Sequence, residues 1–241
     1  VAAASAFLTL AGTTSLVPGI VSRSAGVTLE DARRYVALGY IWVSSLLFPL
    51  WGLETLSFAH PLFYRNLPVQ GLVLGIASVP YLALGAWLAR RTETLLASPL
   101  YLVSIGMVAL SIAFAFPQYG LSVSTLALAA FYCATCAYLF RGTLRSYLAL
   151  WGLAGLMPAT LIRALSGFSL TDEWYGLAMA GLAIAYLVAA ALWERWLGRP
   201  AARVASVARL LALTFGLRAR AFAKPTAPFY ATAFASSLVA A

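Results

Sequence analysis

Glu54 is the one acidic side chain that lies within a long apolar run, in the stretch Pro-Leu-Trp-Gly-Leu-Glu near the end of that run. A charged group costs about 2.5 to 3.5 kcal/mol at the centre of a membrane helix, which makes it a functional candidate by default. Glu54 is therefore interpreted in two ways. It is either a proton or cation site, or a carboxylate that reaches the interface or pairs with Arg65 or Arg163.

His60 is the only histidine of the chain, and it lies beside aromatic residues in Ala-His-Pro-Leu-Phe-Tyr. An imidazole is the type of ligand that holds a haem iron or a chlorophyll magnesium. A haem held by two histidines is excluded by the count. The two interpretations are a pigment or quinone site at His60 and an interfacial loop residue that binds nothing.

Cys133 and Cys136 form a Cys-x-x-Cys pattern in the middle of an apolar run. In thioredoxin-like proteins this pattern works because a helix N-terminus activates the thiol. A position in mid-run favours packing at a helix interface instead. With two cysteines and one histidine, a closed zinc site of the usual Cys/His kind is excluded as well.

The chain also lacks a phosphate loop, a nucleophile elbow, an HExxH sequence and a paired-acid motif. We therefore expect neither an enzyme nor a metal protein, and the leading interpretation needs no cofactor.

The amino-acid composition indicates that the candidate residues above lie on or between membrane helices. The chain has 241 residues, of which 63% are apolar and 10% are charged, and its mean hydropathy is +0.89. A soluble domain averages about 45 to 50% apolar and about 25% charged residues. The sequence therefore predicts an all-α polytopic integral membrane protein and excludes a soluble enzyme and a disordered chain. The net charge of +9 does not indicate nucleic acid, because the basic residues lie in short clusters between apolar runs.

Continuous apolar runs of roughly 20 residues predict membrane-spanning helices. We expect eight spans and one interfacial amphipathic helix. The spans lie near 1–22, 35–57, 68–89, 99–116, 121–140, 146–163, 174–193 and 225–241. Since the chain is apolar from Val1 and again up to Ala241, we expect it to be a segment of a longer protein.

Lysine and arginine residues fall almost entirely into alternate loops, 14 on one side and two on the other. Cytoplasmic loops carry the excess of basic residues, so the basic side is predicted to be cytoplasmic and the protein to lie in the plasma (inner) membrane. On the opposite side we expect a polar or ion site formed by a few charged residues: Glu54, Arg65, Arg163, Asp172 and Glu173.

The segment 198–224 is predicted to be a basic amphipathic helix on the cytoplasmic surface. Arg199, Arg203 and Arg209 fall on one face, at steps of three and four residues with Ser206. Two interpretations remain, an anchor on anionic lipid and a docking element for a partner subunit. The segment 225–241 would start a further membrane helix.

Small residues recur at steps of three or four, a spacing that permits close packing of membrane helices. We expect helix contacts at five glycines: Gly71, Gly75, Gly152, Gly155 and Gly176.

Two segments of the sequence resemble each other, which indicates an internal repeat. Residues 70–91 align without gaps to 175–196 at an offset of 105 residues, and both tyrosines at 81 and 186 are matched. The preceding helices match at Arg33 to Leu38 and Arg145 to Leu150, and the following helices match at 97–101 and 226–230. The sequence thus predicts tandem four-helix repeats of the same orientation, a partial one over 1–97 and a second over 98–197.

The helix starts Pro-Leu-Tyr-Leu at 99–102 and Trp-Tyr-Gly-Leu-Ala at 174–178 are similar to those of very large, repeat-built polytopic bacterial membrane proteins. The resemblance covers most of residues 35–241. It implies a repeat architecture and brings neither an assigned activity nor a catalytic residue.

The leading functional hypothesis is a non-enzymatic membrane scaffold or accessory subunit, whose partners are the lipid bilayer and other membrane subunits and not nucleic acid. The alternatives are a transporter or lipid-handling protein and a subunit that binds chlorophyll or quinone.

Overall fold

The computed structural model describes residues 18, 28–59, 63, 66–91, 94–140, 143–168, 170–197 and 226–240. Within these ranges every regular element is an α-helix, which confirms the all-α prediction. The seven helices are α1 Leu29–Ala59, α2 Leu67–Arg91, α3 Thr94–Ala115, α4 Tyr119–Leu139, α5 Leu144–Leu165, α6 Asp172–Leu197 and α7 Ala227–Ala240.

The helices α1 to α6 are long and apolar enough to cross a membrane, so the described part of the chain has the architecture of a membrane protein. They match the second to seventh predicted spans. The helix α7 has 14 residues and rises about 21 Å, less than the roughly 30 Å of hydrocarbon. The first predicted span and the basic segment 198–224 lie outside the described residues, so the count of eight spans stays a prediction.

Polar residues mark the starts of two helices. The Thr28 hydroxyl accepts a hydrogen bond from the Asp31 amide at 3.2 Å and donates to its carboxylate at 2.6 Å, which caps α1. Thr143 accepts from the Ser146 amide at 3.4 Å at the start of α5. These bonds satisfy amides that a helix leaves without a partner in its first turn.

The chain divides into two compact units, residues 1–115 and 116–241. In the first unit α2 and α3 form a closely packed antiparallel hairpin, and α1 packs mainly against α3. Their shared core holds Leu74 and Tyr81 of α2 with Leu100, Val103 and Met107 of α3.

In the second unit α4 and α5 form one hairpin, while α7 packs on α6 and to a lesser extent on α5. The core of this unit contains large side chains from three helices: Leu150 of α5, Tyr186 of α6 and Phe229 of α7. The rings of Tyr186 and Phe229 lie 5.9 Å apart, and those of Trp193 and Phe229 lie 6.5 Å apart.

Candidate functional site

Arg163 lies in the last turn of α5, and its guanidinium is held by the start of α4. It donates to the Phe116 carbonyl oxygen at 3.1 Å and to the Ser122 hydroxyl at 3.3 Å. The guanidinium also lies over the rings of Phe116 and Tyr119, at 5.3 and 5.6 Å from their centroids. Hydrogen bonds and cation–π contacts together bind the charge to one end of the α4–α5 hairpin.

A second contact joins the same ends of these two helices. The Tyr119 hydroxyl donates to the carbonyl of Ala164, and the Tyr119 ring occupies the space that a side chain at Gly167 would need. Sequence patterns gave no signal for Tyr119 or Ser122, because both are separated from their partners by more than 40 residues.

Replacing Arg163 by alanine is expected to lower the free energy of unfolding by about 1 to 3 kcal/mol, since hydrogen bonds from a charged group and two ring contacts are lost. Arg163→Lys should recover part of the loss, because an ammonium keeps the charge but cannot reproduce the planar fork. Unfolding in mixed detergent micelles measures both. Arg195→Ala at the exposed end of α6 is the control, and equal effects at the two arginines would contradict a specific role for Arg163.

The other residues of the predicted outer polar site are distributed over two units. Glu54 is exposed on α1, in the first unit. Asp172 and Glu173 are exposed in the first turn of α6, where a helix N-terminus stabilises negative charge. Arg65 lies outside the described residues. The contacts of Arg163 described above go to a carbonyl, a hydroxyl and two rings. These contacts give Arg163 a structural role in joining α4 and α5.

Further predicted residues also lie outside the description, namely His60, Arg199, Arg203 and Arg209. Across the described ranges, no group of three or more histidine, cysteine, aspartate or glutamate residues could hold a metal ion.

The predicted packing glycines differ in their surroundings. A Cβ added at Gly71 would lie 2.8 Å from the backbone oxygen of Ser111, and one at Gly152 would lie 3.0 Å from the sulfur of Cys133. A Cβ at Gly155 would meet no described atom within 4 Å, and one at Gly176 would make an ordinary contact with Ala240. Gly75 is buried in α2, where its carbonyl accepts a hydrogen bond from Ser78 at 2.7 Å.

A cleft of about 510 Å³ opens in the first unit between α1 and α2, with Leu100 of α3 at its base. Most of its lining is apolar, from residues such as Ile41, Phe48 and Leu84. Its volume falls within the roughly 300 to 1,000 Å³ of small-molecule sites. The cleft lies between helices that are long and apolar enough to cross a membrane.

Comparisons with protein-family models, with curated proteins and with solved structures found no match to this chain.

Proposed function

We propose that this chain is a non-catalytic scaffold or accessory subunit of a larger membrane assembly, built from tandem copies of one helical module. The first module contains α1 to α3 and the second contains α5 to α7, so the bounds of these three-helix modules differ from those of the predicted repeats 1–97 and 98–197. The observation that carries the proposal is that aligned residues of the two modules make the same contacts.

The glycine contacts recur at aligned positions. Gly71 of α2 approaches the backbone oxygen of Ser111 near the end of α3. Gly176, the aligned glycine of α6, approaches the backbone oxygen of Ala240 at the end of α7. Ser111 and Ala240 are themselves aligned, because the third helices match at an offset of 129 residues.

The aligned tyrosines each donate a hydrogen bond to the first helix of their module, although the two acceptors lie three residues apart in the alignment. Tyr81 donates its hydroxyl to the Ser45 carbonyl of α1 at 3.1 Å, and Tyr186 donates to the Ala154 carbonyl of α5 at 2.7 Å. Each tyrosine therefore ties the second helix of its module to the first.

The apolar cores agree in the same way. Each module core contains an aligned set from its three helices, namely Ile41, Ala77, Tyr81, Leu88 and Leu100 in the first and Leu153, Leu182, Tyr186, Trp193 and Phe229 in the second. Compositional bias alone gives no reason for aligned residues to share contacts, so this agreement supports a duplicated module.

A tandem array of modules in one orientation packs each unit mainly on its neighbours and offers long lateral surfaces to partners. The resemblance to repeat-built bacterial membrane proteins, the basic loops predicted to be cytoplasmic and the predicted amphipathic helix at 198–224 fit such a role. We place the protein in the plasma (inner) membrane with these loops in the cytoplasm.

Gentle extraction of the protein from its native membrane, followed by size-exclusion chromatography and mass spectrometry, tests the scaffold role. We expect defined partner subunits to co-migrate with the chain in fixed proportion. A partner-free peak would overturn the accessory-subunit proposal. An absorbance scan of the same peak tests the pigment alternative, because bound chlorophyll or haem is coloured.

A lipid-handling protein is the second candidate, favoured by the apolar cleft of the first unit. Such a protein moves a labelled lipid between the leaflets of reconstituted vesicles. Transfer no faster than in protein-free vesicles would exclude this candidate.

A further inference from the structure

We propose that the cleft between α1 and α2 binds one hydrocarbon chain of an anionic phospholipid from the surrounding bilayer. This inference goes beyond the scaffold role and does not depend on it, because a scaffold and a lipid-handling protein can both hold a lipid.

Two of the three hydroxyl groups along the cleft, those of Tyr81 and Ser45, are hydrogen-bonded inside the protein. The Tyr81 hydroxyl donates to the Ser45 carbonyl, and the Ser45 hydroxyl donates to the Trp42 carbonyl at 2.9 Å. The third is the Ser44 hydroxyl, and the rest of the lining is apolar, so the cleft offers its occupant a mainly apolar surface. An alkyl chain suits that surface, since it has no groups to satisfy.

The second module shows what fills the corresponding place there. Leu88 and Leu100, which line the cleft, align with Trp193 and Phe229. In the second module these two rings lie 6.5 Å apart, and Phe229 also packs on Tyr186. The two aromatic side chains are larger than the aligned leucines, so the first module has less side-chain volume at these positions, and an apolar occupant fits the remaining cleft.

Basic residues lie beyond one end of the cleft. The lining of α2 ends at Leu88, two residues before the exposed Arg90. On α1, Arg33 is exposed and lies eleven residues before Ser44, which is about three turns and places both on one face. Glu30 and Asp31 lie in the same turn of α1, where Glu30 pairs with Arg34 at 3.0 Å and Asp31 accepts a hydrogen bond from Thr28. Arg33 and Arg90 are the cations placed to attract a phosphate headgroup while the chain lies in the cleft. Charge complementarity therefore favours an anionic phospholipid over a neutral one.

Photo-crosslinking in nanodiscs tests the assignment. The probe is phosphatidylglycerol with a diazirine in its acyl chain, diluted in unlabelled phosphatidylcholine, and mass spectrometry locates the labelled residues. In the wild-type chain we expect labels on Ile41, Phe48 and Leu84. Leu88→Trp introduces the residue found at the aligned position of the second module, and labelling should fall by about tenfold because the apolar contact area is taken up.

Two further variants protect the test from a folding defect. Ser44→Leu also copies the second module, which has Leu156 there, and it narrows the cleft without altering a fully buried side chain. Leu102→Trp is the matched control, because Leu102 is 56% exposed on α3 and does not line the cleft. We expect Ser44→Leu to reduce labelling and Leu102→Trp to leave it unchanged.

Unchanged labelling in Leu88→Trp and Ser44→Leu would overturn the proposal. An absence of wild-type labels from α1 and α2 would do the same, since another part of the chain or a partner subunit would then cover the cleft. Equal labelling by an otherwise identical phosphatidylcholine probe would overturn the choice of an anionic lipid.

Discussion

Replacing Phe229 by alanine is expected to lower the free energy of unfolding by about 3 to 5 kcal/mol, the cost of truncating a well-packed aromatic side chain. Phe229 is 3% exposed and joins α7 to α6 through its contacts with Tyr186 and Trp193. Without the ring, α7 keeps few large side chains to hold it against its neighbours. Thermal or denaturant unfolding in detergent micelles measures the loss.

Phe234 on the same helix provides the control, because it is 67% exposed. Phe234→Ala should change the free energy of unfolding by about 0.5 kcal/mol or less, as is usual for surface positions. Equal losses at the two phenylalanines would show that the aromatic contacts of Phe229 do not hold the second unit together.

Gly71→Ala is expected to destabilise the first unit by about 1 to 3 kcal/mol, the usual cost of overpacking. The new methyl group would lie 2.8 Å from the Ser111 oxygen and 3.1 Å from the Ala115 nitrogen, and both are backbone atoms. Backbone atoms move only if the two helices separate, so the close α2–α3 contact would be lost. Unfolding in mixed micelles reports the change.

Alanine substitutions at two other glycines serve as controls for the loss of stability expected in Gly71→Ala. A methyl group at Gly106 of α3 would meet no described atom within 4 Å, and one at Gly176 would meet Ala240 at 3.4 Å, an ordinary contact. Gly106→Ala is expected to be neutral or to stabilise by up to about 1 kcal/mol through helix propensity. Gly176→Ala is expected to cost less than Gly71→Ala, and the reverse order would contradict the close approach of α2 and α3.

Glycine spacing alone did not separate these cases. Gly71 and Gly155 both belong to small-residue patterns, yet only Gly71 has a neighbouring backbone within van der Waals distance. The spacing shows that a close approach is permitted. Which glycine lies at a close helix contact depends on how each helix is rotated against its neighbour. Hydropathy does not reveal that rotation, because the membrane interior is as apolar as a helix interface.

The partners of Arg163 in the structure differ from the partner that the sequence suggested. The sequence placed Arg163 at the outer end of a span and offered Glu54 as a partner. The structure shows Ser122 and the Phe116 carbonyl holding it in a hairpin. These partners lie at the start of α4 and in the turn before it, and they carry no charge, so no pattern of residue types marks them.

The aligned Tyr81 and Tyr186 were visible in the sequence as part of the internal repeat. Their common hydrogen bond to the preceding helix was not, because the acceptors are backbone carbonyls, which every residue possesses.

The sequence by itself determined the all-helical architecture and the positions of six apolar helices. In a bilayer every backbone amide and carbonyl must be satisfied within its own segment, so the length of an apolar run is enough to predict a helix. Only the tertiary structure decided which side chains meet, namely the hold on Arg163, the close approach at Gly71 and the open cleft beside Tyr81. These features depend on the rotation and offset between helices, which packing geometry sets and hydropathy does not encode.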